Sequence, residues 1–323
     1  MRKLLLIFLL LSPPGVKKLV LRWFFGARIG RGVRVGWFAL VTGRRVEIGD
    51  YSEIRSFSQV RCGEVHVGAY SVIGNSVHIY GPGVFRMGRH SMVGSETQIN
   101  VWHDVQIGDL SALGSRCMVV THGVWLPYTE GYWVKFAGVT IGDRAWIASG
   151  VFIQPGIRIG NEVFVNAMSV VKKDVPDGAV VEGYPAHQVA RMEELKRTMT
   201  PQRLNAAVET MLRHFADLEL QRERGVTAQS DGPGRLSFRC RGRDYLVAHV
   251  SGDGPPPDPR DWQGGKRVIL LVSRPNWDAP RGLRNVMLIS LTTMRTRRPR
   301  DPIHGALERF LRGYYGLKLE YQG

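Results

Sequence analysis

The chain is short of cysteine, of acid and of long apolar runs. Its three cysteines, Cys62, Cys117 and Cys240, show no paired motif. That excludes a disulfide framework and a cysteine-based zinc site, and it fits a reducing compartment. The run Leu4 to Leu11 holds only eight apolar residues, far fewer than the ~20 that a membrane-spanning helix needs. It resembles a secretory h-region, but Ser12-Pro13-Pro14-Gly15 offers no small-x-small cleavage site. Acid is scarce relative to base: 28 acidic residues stand against 44 basic ones, a net charge of +16. Such a surface attracts polyanions, whether nucleic acid, anionic lipid or phosphorylated small molecules. The interleaving of aromatic and basic residues typical of RNA binders is missing, so nucleic acid is not an expected partner.

What the chain has in quantity is glycine, 38 residues of 323, and a six-residue period. Ile141, Ile147, Ile153, Ile159, Val165 and Val171 stand in strict six-step register, with Gly142, Ala148, Gly160 and Asn166 just after them. Val67, Ile73 and Ile79, then Met87, Val93 and Ile99, then Ile107, Leu113 and Val119 repeat the pattern. A hexapeptide period is the signature of a parallel β-helix, each unit forming one flat side of a coil of roughly 18 residues. The apolar residue points inward. The small residue after it is expected at a corner, in a conformation that Gly or Asn tolerates. The solenoid is expected over residues 29–185. It is interrupted by one long excursion, Thr121 to Gly138, and a loop of that length on a regular scaffold is usually functional. The excursion begins with His122.

Both ends differ from the solenoid. Residues 1–28 read as an amphipathic leader, with Val16, Leu19, Val20, Trp23 and Phe24 on one helical face and Lys17, Lys18 and Arg22 off it. Two readings stand: a helix lying in an anionic membrane interface, or a cap packed on the first coil. Residues 186–224 are expected to be helical, as a short stretch over 186–197 and an amphipathic helix from Thr200-Pro201 to about Arg224. Residues 225–323 begin with a linker and form a small α+β subdomain, with strands near 236–239, 245–250, 268–273 and 285–291, a Pro/Gly loop over 251–259 and a helix near 306–313. The basic run Arg295 to Arg300 suits phosphates or anionic lipid, or simply a solvated loop.

From Ile99 to Arg191 the chain resembles the hexapeptide-repeat acyltransferases, in particular the maltose, galactoside and Nod-factor O-acetyltransferases and those of surface-polysaccharide clusters. The motifs that carry this are Ile99-Asn100, Thr121-His122-Gly123, Val139 to Ile147, Ile153-Gln154-Pro155-Gly156, Ser169 to Pro176 and Gly183-Tyr184-Pro185-Ala186. The resemblance implies a mainly β, left-handed parallel β-helix. It also implies acetyl-CoA as donor, a sugar or glycan acceptor, and a homotrimer whose clefts lie between subunits. His122 is the implied general base, a role for which imidazole has the right proton affinity. Asn100 is the implied group that orients the acceptor or polarises the thioester carbonyl. Read from the residues alone, Asn100 could equally be a corner asparagine.

Ser149 and Ala167 match positions that contact the pantetheine arm. Lys172 and Lys173 match the Thr-Lys pair near the nucleotide phosphates. Arg191 lies one place from the family's terminal basic residue, and His187 stands where a lysine is usual. Trp146 matches a common family tryptophan, as packing or as cofactor contact. The segment from Asn100 to Ile107 is shorter than in the galactoside enzymes and lacks their acceptor-binding carboxylate, so a different acceptor is expected. No metal is expected: the γ-class carbonic anhydrases, which share this β-helix, place two zinc histidines five apart, and no such pair exists here. The leading expectation is O-acetylation of a surface-polysaccharide precursor, in the cytoplasm or peripherally on the inner face of the membrane. N-acetylation of an amino sugar, or a non-catalytic scaffold at the membrane, are the alternatives.

Overall fold

The computed structural model describes residues 2–123, 126–252, 265–274 and 285–322, with side chains from residue 6 onward. They form two compact units, residues 1–197 and 198–323. The expected loop over 251–259 lies mostly outside the described residues.

The first unit is a three-faced parallel β-helix. Its first face stacks seven strands from Arg28–Ile29 to Arg158–Ile159, and its third stacks seven from Leu40–Thr42 to Val170–Val171. Its second face begins at Arg34–Val35 and ends with Ala179–Gly183 and Ala186–Arg191. Stacked strands pair in register, Ile107 on Ile141 and Val119 on Ile153. The six residues from Ile141 to Val171 are each at most 1% exposed. Burial of such a branched side chain contributes roughly 1.5–3 kcal/mol before chain entropy is counted, so the continuous inward row is what holds the coil closed.

The corners differ from expectation. Gly142 and Gly160 do not adopt positive φ. A Cβ on Gly142 would lie 2.6 Å from Asn161 Oδ1 and 2.7 Å from the Gly160 carbonyl carbon. These glycines are needed because the next coil passes too close for a side chain. The left-handed conformation falls two residues later and is taken by Tyr51, Tyr70, His90, Leu110, Arg144 and Glu162. Between the two sits an acid or amide that joins coils: Asp109 accepts from Arg89 N–H, Asp143 from Asp109 N–H and Asn161 from Asp143 N–H, at 2.7, 2.7 and 2.8 Å. A buried serine row, Ser52, Ser71, Ser91 and Ser111, satisfies carbonyls of the following coil.

The leader forms two helices, α1 (Arg2–Leu11) and α2 (Pro14–Phe25). Leu9, Val20 and Leu21 join the solenoid core, so the pair caps the open end. Lys17 corrects the expected helical face. It is fully buried rather than solvent-facing, and its ammonium donates to the Leu10 and Ala39 carbonyls at 3.0 and 2.9 Å. Burial pulls its proton affinity below the usual lysine range. No helix among the described residues is long and apolar enough to cross a membrane.

Residues 186–191 also correct the expectation, being a strand rather than a helix. Beyond Gly183-Tyr184-Pro185 the chain folds back and pairs antiparallel with Ala179–Gly183, which covers an open sheet edge. Only Met192–Leu195 is helical, as α3. The amphipathic helix α4 (Pro201–His214), continued by a π-helical turn Phe215–Arg222, does not stand as a separate segment with residues 186–200. Its Val208, Leu212, Phe215 and Leu220 share one core with Leu236, Phe238, Ile269 and Leu307 of the second unit. That unit is a mixed seven-stranded sheet in sequence order, with the helix α5 (Pro302–Tyr315).

His304 of α5 is 1% exposed and hydrogen-bonds Thr296 Oγ1 at 3.0 Å. Burial pushes its imidazole down to about 4, against a smaller opposing effect of Asp301. The unfolded chain protonates this group near pH 6.5. As pH falls from about 6.5 to about 4, the unfolded state gains a proton that the folded state refuses. The second unit is therefore expected to lose up to roughly 3 kcal/mol of stability over that window and little more below it. His304→Gln should flatten that part of the curve in denaturant titrations of the full chain. Parallel curves for the two proteins would refute the assignment.

Candidate active site

The corner between the third and first faces is where the hexapeptide is most often overlong. The chain leaves the solenoid there after strand Met118–Val119. His122–Gly123 pairs antiparallel with Lys135–Phe136, His122 facing Phe136, and the coil resumes at Val139–Ile141. His122 thus sits on a short ribbon at the root of the excursion, not on a free loop. Asn100 ends the strand Gln98–Asn100, which stacks directly on Met118–Val119.

The two side chains meet. Asn100 Oδ1 accepts from the Trp102 backbone N–H at 3.1 Å, and because a backbone N–H can only donate, the orientation of the amide is fixed. The Thr121 hydroxyl donates to the same oxygen at 2.8 Å and accepts from the His103 N–H at 3.1 Å. His122 Nδ1 lies 3.0 Å from that oxygen. An amide oxygen cannot donate, so Nδ1 carries the proton and the neutral ring holds its lone pair on Nε2. Thr121 is fully buried and Asn100 nearly so, which makes the arrangement rigid. Among the described residues, no group hydrogen-bonds Asn100 Nδ2. The His122 ring lies parallel to Phe136, 6.1 Å centroid to centroid, with Trp102 on it at 5.4 Å. Thr121, Trp102 and Phe136 are residues of this site to which the sequence assigned no role. Only the Thr-His-Gly motif pointed to one of them.

The expected cofactor residues fall in two groups. Ser149 and Ala167 occupy successive coils at the corner between the second and third faces, where Met168 N–H donates to the Ser149 carbonyl at 3.0 Å. Trp146, on the adjoining second face, is exposed and packs its ring on Phe164 at 4.9 Å. Lys172 and Lys173 lie at the His122 corner two coils further on, about 10 Å away at one strand spacing per coil. Lys172 Nζ stands 5.0 Å above the Tyr184 ring. Arg191 is exposed on the antiparallel edge strand of the second face, opposite Ala179. Within one chain, then, the histidine and the small-residue wall lie on opposite edges of the third face. His66, by contrast, is spent between Glu47 and Glu64, at 3.0 and 3.2 Å.

Residues 138–173 match the family model described as bacterial transferase hexapeptide (six repeats). The chain is 29% identical over 120 residues to the putative colanic acid biosynthesis acetyltransferase WcaF of Escherichia coli (strain K12), covering 37% of this chain and 65% of that one. It is 27% identical over 133 residues to the galactoside O-acetyltransferase of the same organism, covering 39% and 66%. Among solved structures, the polySia-specific acetyltransferase NeuO aligns over 51% of this chain and 81% of its own, with a TM-score of 0.44 and 19% identity. Residues 138–173 carry the bacterial-transferase hexapeptide repeat, and the chain, which spans just under two thirds of the length of these two relatives, is similar along its site-bearing coils to surface-polysaccharide and galactoside acetyltransferases.

Proposed function

We propose that this protein transfers an acetyl group from acetyl-CoA to a hydroxyl of a sugar in a surface-polysaccharide precursor. The observation that carries the reading is the His122–Asn100 hydrogen bond. It leaves Nε2 unprotonated at the root of the long excursion from the solenoid. As an acceptor hydroxyl attacks the thioester carbonyl, Nε2 takes its proton and the thiolate of CoA leaves. The unpartnered Asn100 Nδ2 is a donor for the oxyanion that forms in between. Ser149 and Ala167 offer a wall without bulk for the pantetheine arm, Trp146 a flat neighbour, and Lys172, Lys173 and Arg191 positive charge for the nucleotide phosphates.

Because His122 and the Ser149–Ala167 wall lie on opposite edges of the third face, the cleft forms between the His122 corner of one copy and the Ser149 corner of the next. A closed homotrimer supplies that contact three times. The inner face of the cell membrane is where acetyl-CoA and lipid-linked glycans are both within reach. The test is mass analysis of glycans from cells with and without the protein. One acetyl mass that mild base removes is expected. No change, or a base-stable acetyl on nitrogen, sinks the O-transfer reading.

A further inference from the structure

The charge of this chain is not spread evenly. Residues 1–61 hold twelve basic and three acidic side chains, residues 62–199 eleven and twelve, and residues 200–323 twenty-one and thirteen. The coils that carry the site are therefore nearly neutral, while the capped end of the same unit carries +9. The three acids of that end each lie against an arginine of the first coil: Glu47 on Arg28, Asp50 on Arg31 and Glu53 on Arg34. Among the described residues, Lys18, Arg44 and Arg61 have no ion-pair partner.

The same end is apolar on its outside. α1 and α2 lie over the first strands of the solenoid and turn Leu9, Val20 and Leu21 inward. Their outer side leaves Ile7, Phe8, Leu11, Leu19, Trp23 and Phe24 exposed, Trp23 by 80% and Phe24 by 67%. A folded protein rarely leaves so many large apolar side chains together in water without a partner. Packing alone does not require them, because the cap is already closed by the inner stripe. Lys17 cannot neutralise the face, since it is sealed beneath it.

We infer that the capped end of the β-helix is a docking surface for an anionic lipid bilayer, and that it stands the solenoid upright on the membrane. Apolar and aromatic side chains enter the interface, and the surrounding cations meet the anionic headgroups. The helices lie across the end of the coil, so the solenoid axis points away from the lipid. His122 follows the fifth coil. Four strand spacings at about 4.8 Å, plus a helix diameter of about 10 Å, put it on the order of 30 Å above the surface. Resting on the acetyl-transfer reading, this height selects the acceptor. A sugar linked directly to its lipid cannot reach the site, whereas one carried at the end of several sugars can.

The experiment uses the full chain and two vesicle types, phosphatidylcholine alone and with phosphatidylglycerol. Co-sedimentation with the anionic vesicles is expected at low ionic strength, with loss at high salt. A triple variant, Leu19→Ser, Trp23→Ser and Phe24→Ser, should bind about 10²-fold more weakly or worse. It should acetylate a soluble acceptor at the wild-type rate, because the buried stripe and the site are untouched. The pair Lys18→Glu and Arg44→Glu, which changes charge alone, should also weaken binding. The docking surface is refuted if wild type ignores anionic vesicles, if the triple variant binds as tightly, or if this end instead joins two copies of the protein. With vesicle-borne acceptors, transfer should rise with the number of sugars between lipid and terminus, and equal transfer to a one-sugar lipid overturns the upright orientation. Failure to acetylate any soluble acceptor, with vesicle binding intact, would instead fall on the catalytic reading.

Discussion

Replacing His122 with alanine is expected to slow acetyl transfer by about 10²–10⁴-fold while leaving CoA binding unchanged. The size follows from what is lost. Among the described residues, no other imidazole, carboxylate or amine hydrogen-bonds Asn100. The His103 ring meets the Phe136 ring edge to face, 6.0 Å centroid to centroid. The selectivity follows from position, since the expected CoA residues Ser149 and Ala167 lie on the other edge of the third face, Trp146 on the second face, and Lys172 and Lys173 two coils beyond His122. Calorimetry with CoA and a thiol-release assay with a sugar panel read the two quantities separately. Normal turnover in the variant would remove His122 from the mechanism. Weakened CoA binding with normal turnover at saturation would make it a binding residue instead.

Much of this molecule was legible because its strongest signal is local and repeated. A six-residue register needs no knowledge of distant contacts, and the residues from Ile141 to Val171 that set it are all buried. His122 stands out in the sequence because it opens the longest break in that register. The errors share a cause: in each, a long-range contact overrode a local pattern. Lys17 reads as a surface cation on a helical wheel, but two carbonyls 7 and 22 residues away satisfy its ammonium inside the cap. The 186–191 segment has helix-compatible residues, but an unpaired sheet edge was available to it. Gly142 reads as a turn glycine, but its constraint comes from the coil above. The α4 segment reads as amphipathic from its sequence, yet its apolar stripe alone cannot say which sheet it covers.

Asn100 separates two roles that its amide can play at once, and its substitutions are expected to tell them apart. Through Oδ1 it holds the proton on His122 Nδ1. Through Nδ2, which is unpartnered among the described residues, it can donate to an oxyanion. Asn100→Ala removes both. It strands the Trp102 N–H and the His122 Nδ1–H, while the Thr121 hydroxyl keeps the Asn100 backbone carbonyl at 3.2 Å, and the imidazole is free to adopt the unproductive tautomer. Loss of one oxyanion donor alone costs about 10²–10³-fold in turnover, so the alanine variant should lose at least that. Asn100→Asp keeps an acceptor for all three donors but has no donor of its own. Its carboxylate favours the imidazolium, so activity at neutral pH should fall and the acid limb of the pH–rate profile should move upward. The plateau at high pH is then the deciding quantity. Recovery to the wild-type rate would mean that Asn100 only positions the base. A plateau that stays about 10²–10³-fold low would place Nδ2 on the transition state. An unchanged rate and profile in both variants would detach Asn100 from the chemistry, and would leave its contact with His122 as no more than a corner hydrogen bond.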